Sequence, residues 1–450
     1  MTRILTPNDY GFINVFNVKV TILVVLGSLG IRNIIVRSIA RDRAISKSFF
    51  KASSFIRFLT TLIVLIIYYI YRLFFQDNFS SFDLYLLIAS FIFSILWDMV
   101  ETIAFGLERM EITAFLNFFA TLFFVLCLYI LPKTFWNIHR ILLFNVIIQM
   151  IKSFVYYVLL RYNEFVGGHE SLTQISIISK KLVHDSMPYY LLAVFSMLSS
   201  QMPILFLEAR SSSAEVAFYN LGFKILSPMQ MALSMALVAL FPNISRVFLE
   251  DKARFQRIVR KAIISIIVLG IITAFTISFF RKEVILLLYD QRYVTAAAVI
   301  AFQCWYTIWF AIFCLQGTVI GAADRQKALP VLSFIYALIS VPILWIGASF
   351  GAVGLSMSYI IASFFNMTYN WWYFNKILPQ KFNLGFTALI FFILIFAMGI
   401  SFTIPENLNL ILKLALFLGL GLLVLLGLAN RTLRQFCVKY ILADTNTPMK

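Results

Sequence analysis

Four basic residues lie inside long apolar stretches of this sequence, where a charge is costly. They are Lys19, Arg57, Lys152 and Lys224. A cation at the centre of a bilayer costs about 2.5–3.5 kcal/mol on insertion scales, so each is a functional candidate by default. Cations that face a cavity would attract an anionic ligand. The alternative for the lysines is that the aliphatic stem reaches the interface and carries the ammonium group to water.

Two of these cations occupy similar places in a weak internal repeat. With an offset of 206, Asn14 aligns with Asn220, and Lys19 falls one place after Lys224. Each lysine lies about eight residues into its apolar stretch, and a loop rich in Arg and Lys follows each stretch. A repeat whose two copies run in the same direction is typical of transporters.

The other two cations have less certain roles. Arg57 lies about one turn into the second apolar stretch, and Lys152 lies near the middle of another. Either could meet an anionic group at the cytoplasmic mouth of a cavity. For Arg57 we favour a plain cytoplasmic anchor, and for Lys152 the sequence leaves both interpretations open.

Two carboxylates lie three residues apart in one apolar stretch, on one face of the predicted helix. Asp98 and Glu101 could form a proton or cation site. They could instead pair with Arg57 or Arg109 as a structural latch. We favour the latch, because two carboxylates in the path of an anionic group would repel it.

Polar and proline residues complete the set of candidates. Asn14, Asn220 and Gln230 could hydrogen-bond a ligand in a cavity, or they could join neighbouring helices. Pro228 frees the backbone carbonyl four residues before it, and Pro228 and Pro242 are predicted hinge positions.

Composition decides the class of protein. The chain has 450 residues, of which 61% are hydrophobic and only 13% are charged. A soluble protein could not bury this much apolar surface, so the sequence predicts an all-α polytopic membrane protein. We attribute the net charge of +17 to loops that face an anionic leaflet, and we expect no nucleic-acid partner. The sequence contains no metalloprotease or Walker-type phosphate motif, so we expect neither a metal site nor a cofactor.

Hydropathy predicts about thirteen membrane-spanning helices. Lys and Arg are concentrated in one set of alternate loops, about 24 against about 9, which places that set and the C-terminus in the cytoplasm. The N-terminus would then lie outside, and we therefore expect a further helix before residue 1. The predicted spans are 11–31, 54–74, 83–104, 112–131, 140–160, 187–207, 216–241, 261–280, 295–320, 330–350, 352–374, 386–404 and 409–428.

The repeat predicts four regions along the chain. An N-terminal lobe, 1–160, lacks its first helix, and a cytoplasmic linker, 161–186, separates it from a C-terminal lobe, 187–374. The linker is a candidate for an amphipathic helix on the membrane surface. An extra helix pair and a cytoplasmic tail occupy 375–450.

Four short motifs resemble the polysaccharide (O-antigen) flippases. The segment Leu5-Thr6-Pro7-Asn8-Asp9-Tyr10-Gly11 is similar to the opening that follows their first helix. The resemblance extends over about residues 5–428, and the order and spacing of the motifs carry it. The other three motifs are Ala239-Leu240-Phe241-Pro242-Asn243-Ile244-Ser245-Arg246, Leu287-Leu288-Tyr289-Asp290-Gln291-Arg292-Tyr293 and Gly351-Ala352-Val353-Gly354.

The resemblance implies both an architecture and a substrate. These flippases share a superfamily with lipid II flippases and multidrug and toxin extruders. The resemblance therefore implies two six-helix lobes that form a V around a cavity. It also implies that an undecaprenyl-pyrophosphate-linked oligosaccharide moves across the bacterial inner membrane. On this interpretation Lys19 and Lys224 attract the pyrophosphate, and a polysaccharide polymerase and a chain-length regulator are expected partners. The driving force stays open, with H⁺ or Na⁺ coupling among the alternatives.

Two other functions compete with flipping. A cation-coupled drug extruder of the same superfamily needs acidic residues deep in its cavity, whereas this chain has lysines there. A membrane enzyme such as an O-antigen polymerase or glycosyltransferase needs a large external loop, and the longest predicted external loop, 281–294, is too short to enclose an active site. We therefore predict that the protein is not an enzyme.

Overall fold

The chain folds into helices joined by short turns. A computed structural model describes residue 2 and residues 4–74, 79–162, 172–323 and 325–378, with isolated positions 395, 398, 399 and 413. Within these ranges the α-helices are α1 (Pro7–Ser28), α2 (Arg32–Arg41), α3 (Ser46–Phe74), α4 (Ser81–Gly106), α5 (Met110–Ile130), α6 (Ile138–Tyr162), α7 (Leu172–Ser200), α8 (Met202–Arg210), α9 (Ser213–Glu250), α10 (Lys252–Phe279), α11 (Arg281–Leu288), α12 (Ala296–Ala322), α13 (Leu329–Ala348) and α14 (Gly351–Ile377).

The described helices confirm an all-α membrane fold. By length and composition, nine helical segments in the described ranges can cross a membrane, and α7 and α8 count together as one of them, Ile175–Arg210. The predicted helix pair 386–404 and 409–428 lies outside the described residues, apart from the isolated positions named above.

Several predicted boundaries differ from the observed helices, including the starts of α3 and α10, which lie eight and nine residues before the predicted ones. The span predicted at 11–31 ends at Ser28, because the next two residues adopt left-handed backbone angles, and α2 then starts in a new direction. The span predicted to end at 241 continues through Pro242 to Glu250. Residues 172–186 of the predicted linker form the first half of α7.

The two copies of the repeat begin with the same capping pattern. Thr6 Oγ1 accepts a hydrogen bond from the backbone N–H of Asp9 at 3.3 Å, and Ser212 Oγ accepts one from the N–H of Glu215 at 3.4 Å. Both caps satisfy an otherwise unpaired donor at the start of a helix, α1 in one copy and α9 in the other. The repeat therefore extends to the residues that start these helices.

Replacing Glu215 with alanine is expected to loosen the first turn of α14. Glu215 Oε2 accepts a hydrogen bond from Ala352 N at 2.6 Å, and a helix N-terminus favours negative charge. Loss of such a cap costs about 0.5–2 kcal/mol, so amide hydrogen exchange at residues 352–354 should accelerate. Glu215→Gln retains an acceptor and should change exchange less. Equal exchange in the alanine variant and the unmodified protein would contradict this role.

The chain forms two compact units. The first contains Met1–Leu221 and Lys327–Ala362, and the second contains Gly222–Gln326 and Ser363–Lys450. In the second unit α10 packs along α12, which is the most buried of the nine segments. The predicted lobe boundaries at 160, 187 and 374 stay a prediction.

The core of the first unit holds α2 against α4. Ile34, Ile35 and Ile39 of α2 are buried in a cluster with Ile103 of α4, and Gly106 packs closely on Ile39. Burial of each such side chain contributes roughly 1.5–3 kcal/mol relative to exposure. This packing fixes the start of α2 beside the acidic residues of α4.

Candidate functional site

An ion-pair cluster joins α2, α3 and α4 in the first unit, and Arg57 is its most buried member. Only 2% of the Arg57 side chain is exposed. Its Nη2 donates to Asp98 Oδ2 at 2.5 Å and to Thr102 Oγ1 at 3.3 Å. Within the described residues, Arg57 Nε and Nη1 have no acceptor. A guanidinium so deeply buried depends on its carboxylate partner for charge compensation.

Arg32 is the second cation of this ion-pair cluster. Its Nη1 donates to Glu101 Oε2 at 2.7 Å and to Asp98 Oδ1 at 3.2 Å. Arg32 opens α2, and 34% of its side chain is exposed. The sequence interpretation missed this residue, because its position after an apolar stretch is also that of an ordinary loop cation.

The structure decides between the predicted partners of the acidic pair. Asp98 contacts Arg57, which was one of the two partners predicted for the acidic pair. Arg109 Nη1 instead lies 3.6 Å from Glu111 Oε1, and both of those side chains are largely exposed. The ion-pair cluster therefore consists of Arg32, Arg57, Asp98 and Glu101.

Lys152 lies beside the ion-pair cluster, on α6. Its Nζ donates to Asn117 Oδ1 of α5 at 3.0 Å and lies 3.8 Å from the centroid of the Trp97 ring of α4. An amide oxygen and an aromatic face both stabilise an ammonium group without neutralising it. Lys152 therefore lies between α4, α5 and α6, with one partner on α4 and one on α5.

Lys19 and Lys224, the predicted pyrophosphate-binding residues, belong to different units. Lys19 Nζ lies 4.0 Å from the centroid of the Phe79 ring, and the side chain is half-buried. Lys224 is on α9 and belongs to the second unit, where its side chain is exposed. That Lys19 and Lys224 face a common cavity stays a prediction.

The candidate amides bond mainly to their own helices. Asn14 Nδ2 donates to the Tyr10 carbonyl at 2.8 Å, and Asn220 Nδ2 donates to the Val216 carbonyl at 3.0 Å. The two bonds are equivalent in the repeat. Gln230 Nε2 is buried and has no acceptor among the described residues.

The prolines of α9 do not interrupt its helix. Pro228 was expected to free the Lys224 carbonyl, and Ser227 Oγ donates to that oxygen at 3.2 Å. Pro242 lies within the same continuous helix, Ser213–Glu250. The hinge roles of Pro228 and Pro242 stay predictions, since a proline bends a helix without having to end it.

Comparison with known proteins identifies one matching family. The model of a family described as "Polysaccharide biosynthesis protein" matches residues 1–248, which is more than half of the chain. No curated protein matches the sequence.

Solved structures of membrane transporters share the fold. An inward-facing multidrug resistance MATE family transporter of the MOP superfamily superposes with a TM-score of 0.55 at 12% identity, over 83% of this chain and 92% of its own. A mutant of the Vibrio cholerae MATE transporter VcmN gives 0.53 at 16% identity, over 83% and 94%. A MOP superfamily transporter from Pyrococcus furiosus gives 0.54 at 12% identity, over 82% and 88%. At these identities the likeness concerns the fold alone.

Proposed function

Because the chain belongs to the polysaccharide biosynthesis protein family and has the fold of MOP superfamily transporters, we propose that it is a flippase for lipid-linked oligosaccharides. Its substrate would be an undecaprenyl-pyrophosphate-linked repeat unit for O-antigen, capsule or exopolysaccharide. The repeat unit would cross the bacterial inner membrane to the outer leaflet, where a polymerase and a chain-length regulator would use it. The observation that carries this proposal is the family match over residues 1–248.

The charges of the described spans support an anionic substrate. Lys19, Lys152 and Lys224 contribute ammonium groups within predicted spans, whereas Asp98 and Glu101 are both bound to arginine. A cationic drug could bind Asp98 only by displacing a guanidinium group. At Glu101 it would have to share the carboxylate with the guanidinium of Arg32. The lysines would instead attract the negative charge of a diphosphate.

A related protein offers a precedent for a change in pocket charge. In the MOP superfamily transporter from Pyrococcus furiosus, the reverse polarity of the binding pocket suggests a different function. We extend that idea to this chain, where cations would replace the acidic groups that a drug extruder needs. The transport cycle would be alternating access, with the C-terminus in the cytoplasm.

Complementation tests the proposal directly. The chain would be expressed in a bacterium that lacks its own O-antigen flippase, and polymerised surface glycan and lipid-linked precursor would be measured together. We expect surface glycan to return while precursor falls. Correct membrane insertion without rescue, in hosts that supply several different glycans, would contradict flipping. Drug efflux from the same cells would then support the multidrug alternative.

The double replacement Lys19→Ala and Lys224→Ala is expected to reduce surface glycan at least about tenfold, because both cations proposed to hold the diphosphate are lost. Each single variant should have a smaller effect. Lys133→Ala, which removes an exposed lysine outside the long helices, is the control. Normal glycan in the double variant, at normal protein levels, would show that neither lysine holds the headgroup.

A further inference from the structure

An apolar groove runs between α4 and α6 of the first unit. Its volume is about 490 Å³, which is within the usual range of ligand pockets. Its main lining residues are Phe93, Leu96 and Val100 of α4 and Met150, Phe154 and Tyr157 of α6. Leu96 and Phe154 are exposed, so the groove is open to whatever surrounds this face of the unit.

The walls of the groove offer hydrocarbon and hardly any hydrogen-bonding groups. Ser153 also lines the groove, but its hydroxyl is directed at backbone carbonyls, 2.8 Å from that of Gln149 and 3.1 Å from that of Phe93. Met99 Sδ accepts a hydrogen bond from Ser54 Oγ at 3.0 Å. A sugar or another polar ligand needs several well-placed donors and acceptors. The groove therefore fits a hydrocarbon chain better than a polar group.

The groove has the length and the depth of a lipid chain in one leaflet. At about 1.5 Å per residue, α6 rises about 10 Å from Met150 to Tyr157 and about 16 Å from Met150 to Arg161. Half of the hydrocarbon core of a bilayer is about 15 Å thick. Met150 lies in the middle of the predicted span 140–160. In the orientation that the loop charges predict, the groove would thus extend from the bilayer centre toward the cytoplasmic surface.

A cation lies at the end of this face of α6. Met150, Phe154, Tyr157 and Arg161 are spaced by three or four residues, so they share one face of the helix. Arg161 is exposed, and it has no ion-pair partner within the described residues. A guanidinium group matches a phosphate in both charge and geometry. A phosphate bound to Arg161 would leave the chain of its lipid in line with the groove.

Lys152 lies on the opposite side of α6 from the groove. Successive residues are about 100° apart around an α-helix, so Lys152 is about 160° from both Met150 and Phe154. Its Nζ contacts Asn117 and the ring of Trp97 instead. A diphosphate attracted by Lys152 would be separated from the groove by the helix. We therefore assign the groove to a different lipid.

A second copy of this chain fits the groove less well. Two copies related by a twofold axis along the membrane normal would meet at equal depth. Their Arg161 side chains would then approach each other at the same end of α6, and like charges across an interface are unfavourable. An anionic lipid is attracted by the same residue.

We propose that the groove between α4 and α6 binds one acyl chain of an anionic phospholipid of the cytoplasmic leaflet, and that Arg161 binds its phosphate group. The chain would lie between two helices that Trp97 and Tyr156 also join, with ring centroids 5.2 Å apart. The lipid would therefore stabilise the packing of α4 on α6. The choice of a phospholipid over the chain of a substrate rests on the proposed function, but the lipid site itself does not.

Photocrosslinking in lipid nanodiscs locates the chain. Purified protein would be incorporated with phosphatidylglycerol that carries a diazirine on one acyl chain, and labelled residues would be identified by mass spectrometry of peptides. We expect the label to concentrate at residues 93–100 and 150–157. Leu96→Trp fills the groove from an exposed position and should reduce this label about threefold or more, because a clash opposes binding. Leu122→Trp is the matched control, because Leu122 is equally exposed, 39% against 40%, and lies on α5 outside the groove.

Arg161→Gln tests the headgroup contact. Phosphatidylcholine with the same diazirine chain is the comparison lipid, because it carries no net charge. We expect the anionic lipid to label the groove more strongly, and Arg161→Gln should reduce the ratio of the two labels about threefold or more. Arg140→Gln removes an exposed cation at the other end of α6 and should leave the ratio unchanged. An unchanged ratio in Arg161→Gln would show that Arg161 does not bind the phosphate.

Three other results would overturn the phospholipid site. One is equal labelling of the groove in Leu96→Trp and the unmodified protein. Another is loss of the label when unlabelled undecaprenyl phosphate is added, which would assign the groove to the chain of a substrate. The third is a disulfide between two Phe154→Cys copies, which would assign it to a dimer. If complementation fails while the labelling results hold, the proposed function is wrong and the lipid site stands.

Discussion

Replacing Asp98 with asparagine is expected to lower the free energy of unfolding by about 3–5 kcal/mol, the cost of leaving a buried charge without its partner. Arg57 is 2% exposed and its ionic contact is with Asp98, so the neutral amide would leave the guanidinium uncompensated. Unfolding in mixed detergent and SDS micelles would measure the loss. A smaller yield of folded protein in the membrane is the expected cellular consequence.

Two further variants make this prediction specific. Glu108→Gln breaks an exposed ion pair and should cost less than about 1 kcal/mol. The double variant Arg57→Met with Asp98→Leu removes both buried charges and should recover most of the lost stability, because buried ion pairs are often replaceable by apolar residues. If Asp98→Asn is no more harmful than Glu108→Gln, Asp98 is not the anchor of Arg57.

The Arg57–Asp98 contact could be anticipated from sequence because two patterns agree. Hydropathy predicts that Arg57 lies near the start of one span and Asp98 near the end of the next, and consecutive spans run antiparallel. A cation and an anion at the same depth on adjacent helices lower the insertion cost of each other. The same argument also allowed Arg109 as a partner of the acidic pair. Only the three-dimensional packing excludes that pairing, because Arg109 lies beside Glu111 at the exposed start of α5.

The role of Arg32 could not be anticipated in this way. It depends on Leu29 and Gly30, whose left-handed angles (φ 48° and 64°) turn the chain so that α2 packs on α4. Gly30 is a weak signal for such a turn, but a leucine in this conformation gives none, because non-glycine residues rarely adopt it. Which charge meets the acidic pair is therefore decided by a local backbone conformation that hydropathy does not encode.

Gly11→Ala is expected to reduce transport more than any other single substitution of one glycine by alanine in the described chain. A Cβ atom at Gly11 would overlap the backbone carbonyl of Ser213, so α1 and the start of α9 would have to separate. The obstacle is backbone rather than a flexible side chain, and such overpacking costs about 1–3 kcal/mol. In the orientation that the loop charges predict, these helix ends lie on the outer face, where their separation would disturb the proposed alternating access.

Surface glycan in the flippase-deficient host measures the loss, and labelling of a cysteine at Asn14 measures the separation. Asn14 is buried on α1 one turn from Gly11, so in a background with the four native cysteines replaced an impermeant maleimide should react slowly with it. In the Gly11→Ala protein the reaction should accelerate. Gly317→Ala is the matched control, because a Cβ there meets no atom within 4 Å. Unchanged labelling and full surface glycan in Gly11→Ala would contradict this prediction. They would show that α1 and α9 tolerate a Cβ at residue 11 and that transport does not depend on the close contact between Gly11 and Ser213.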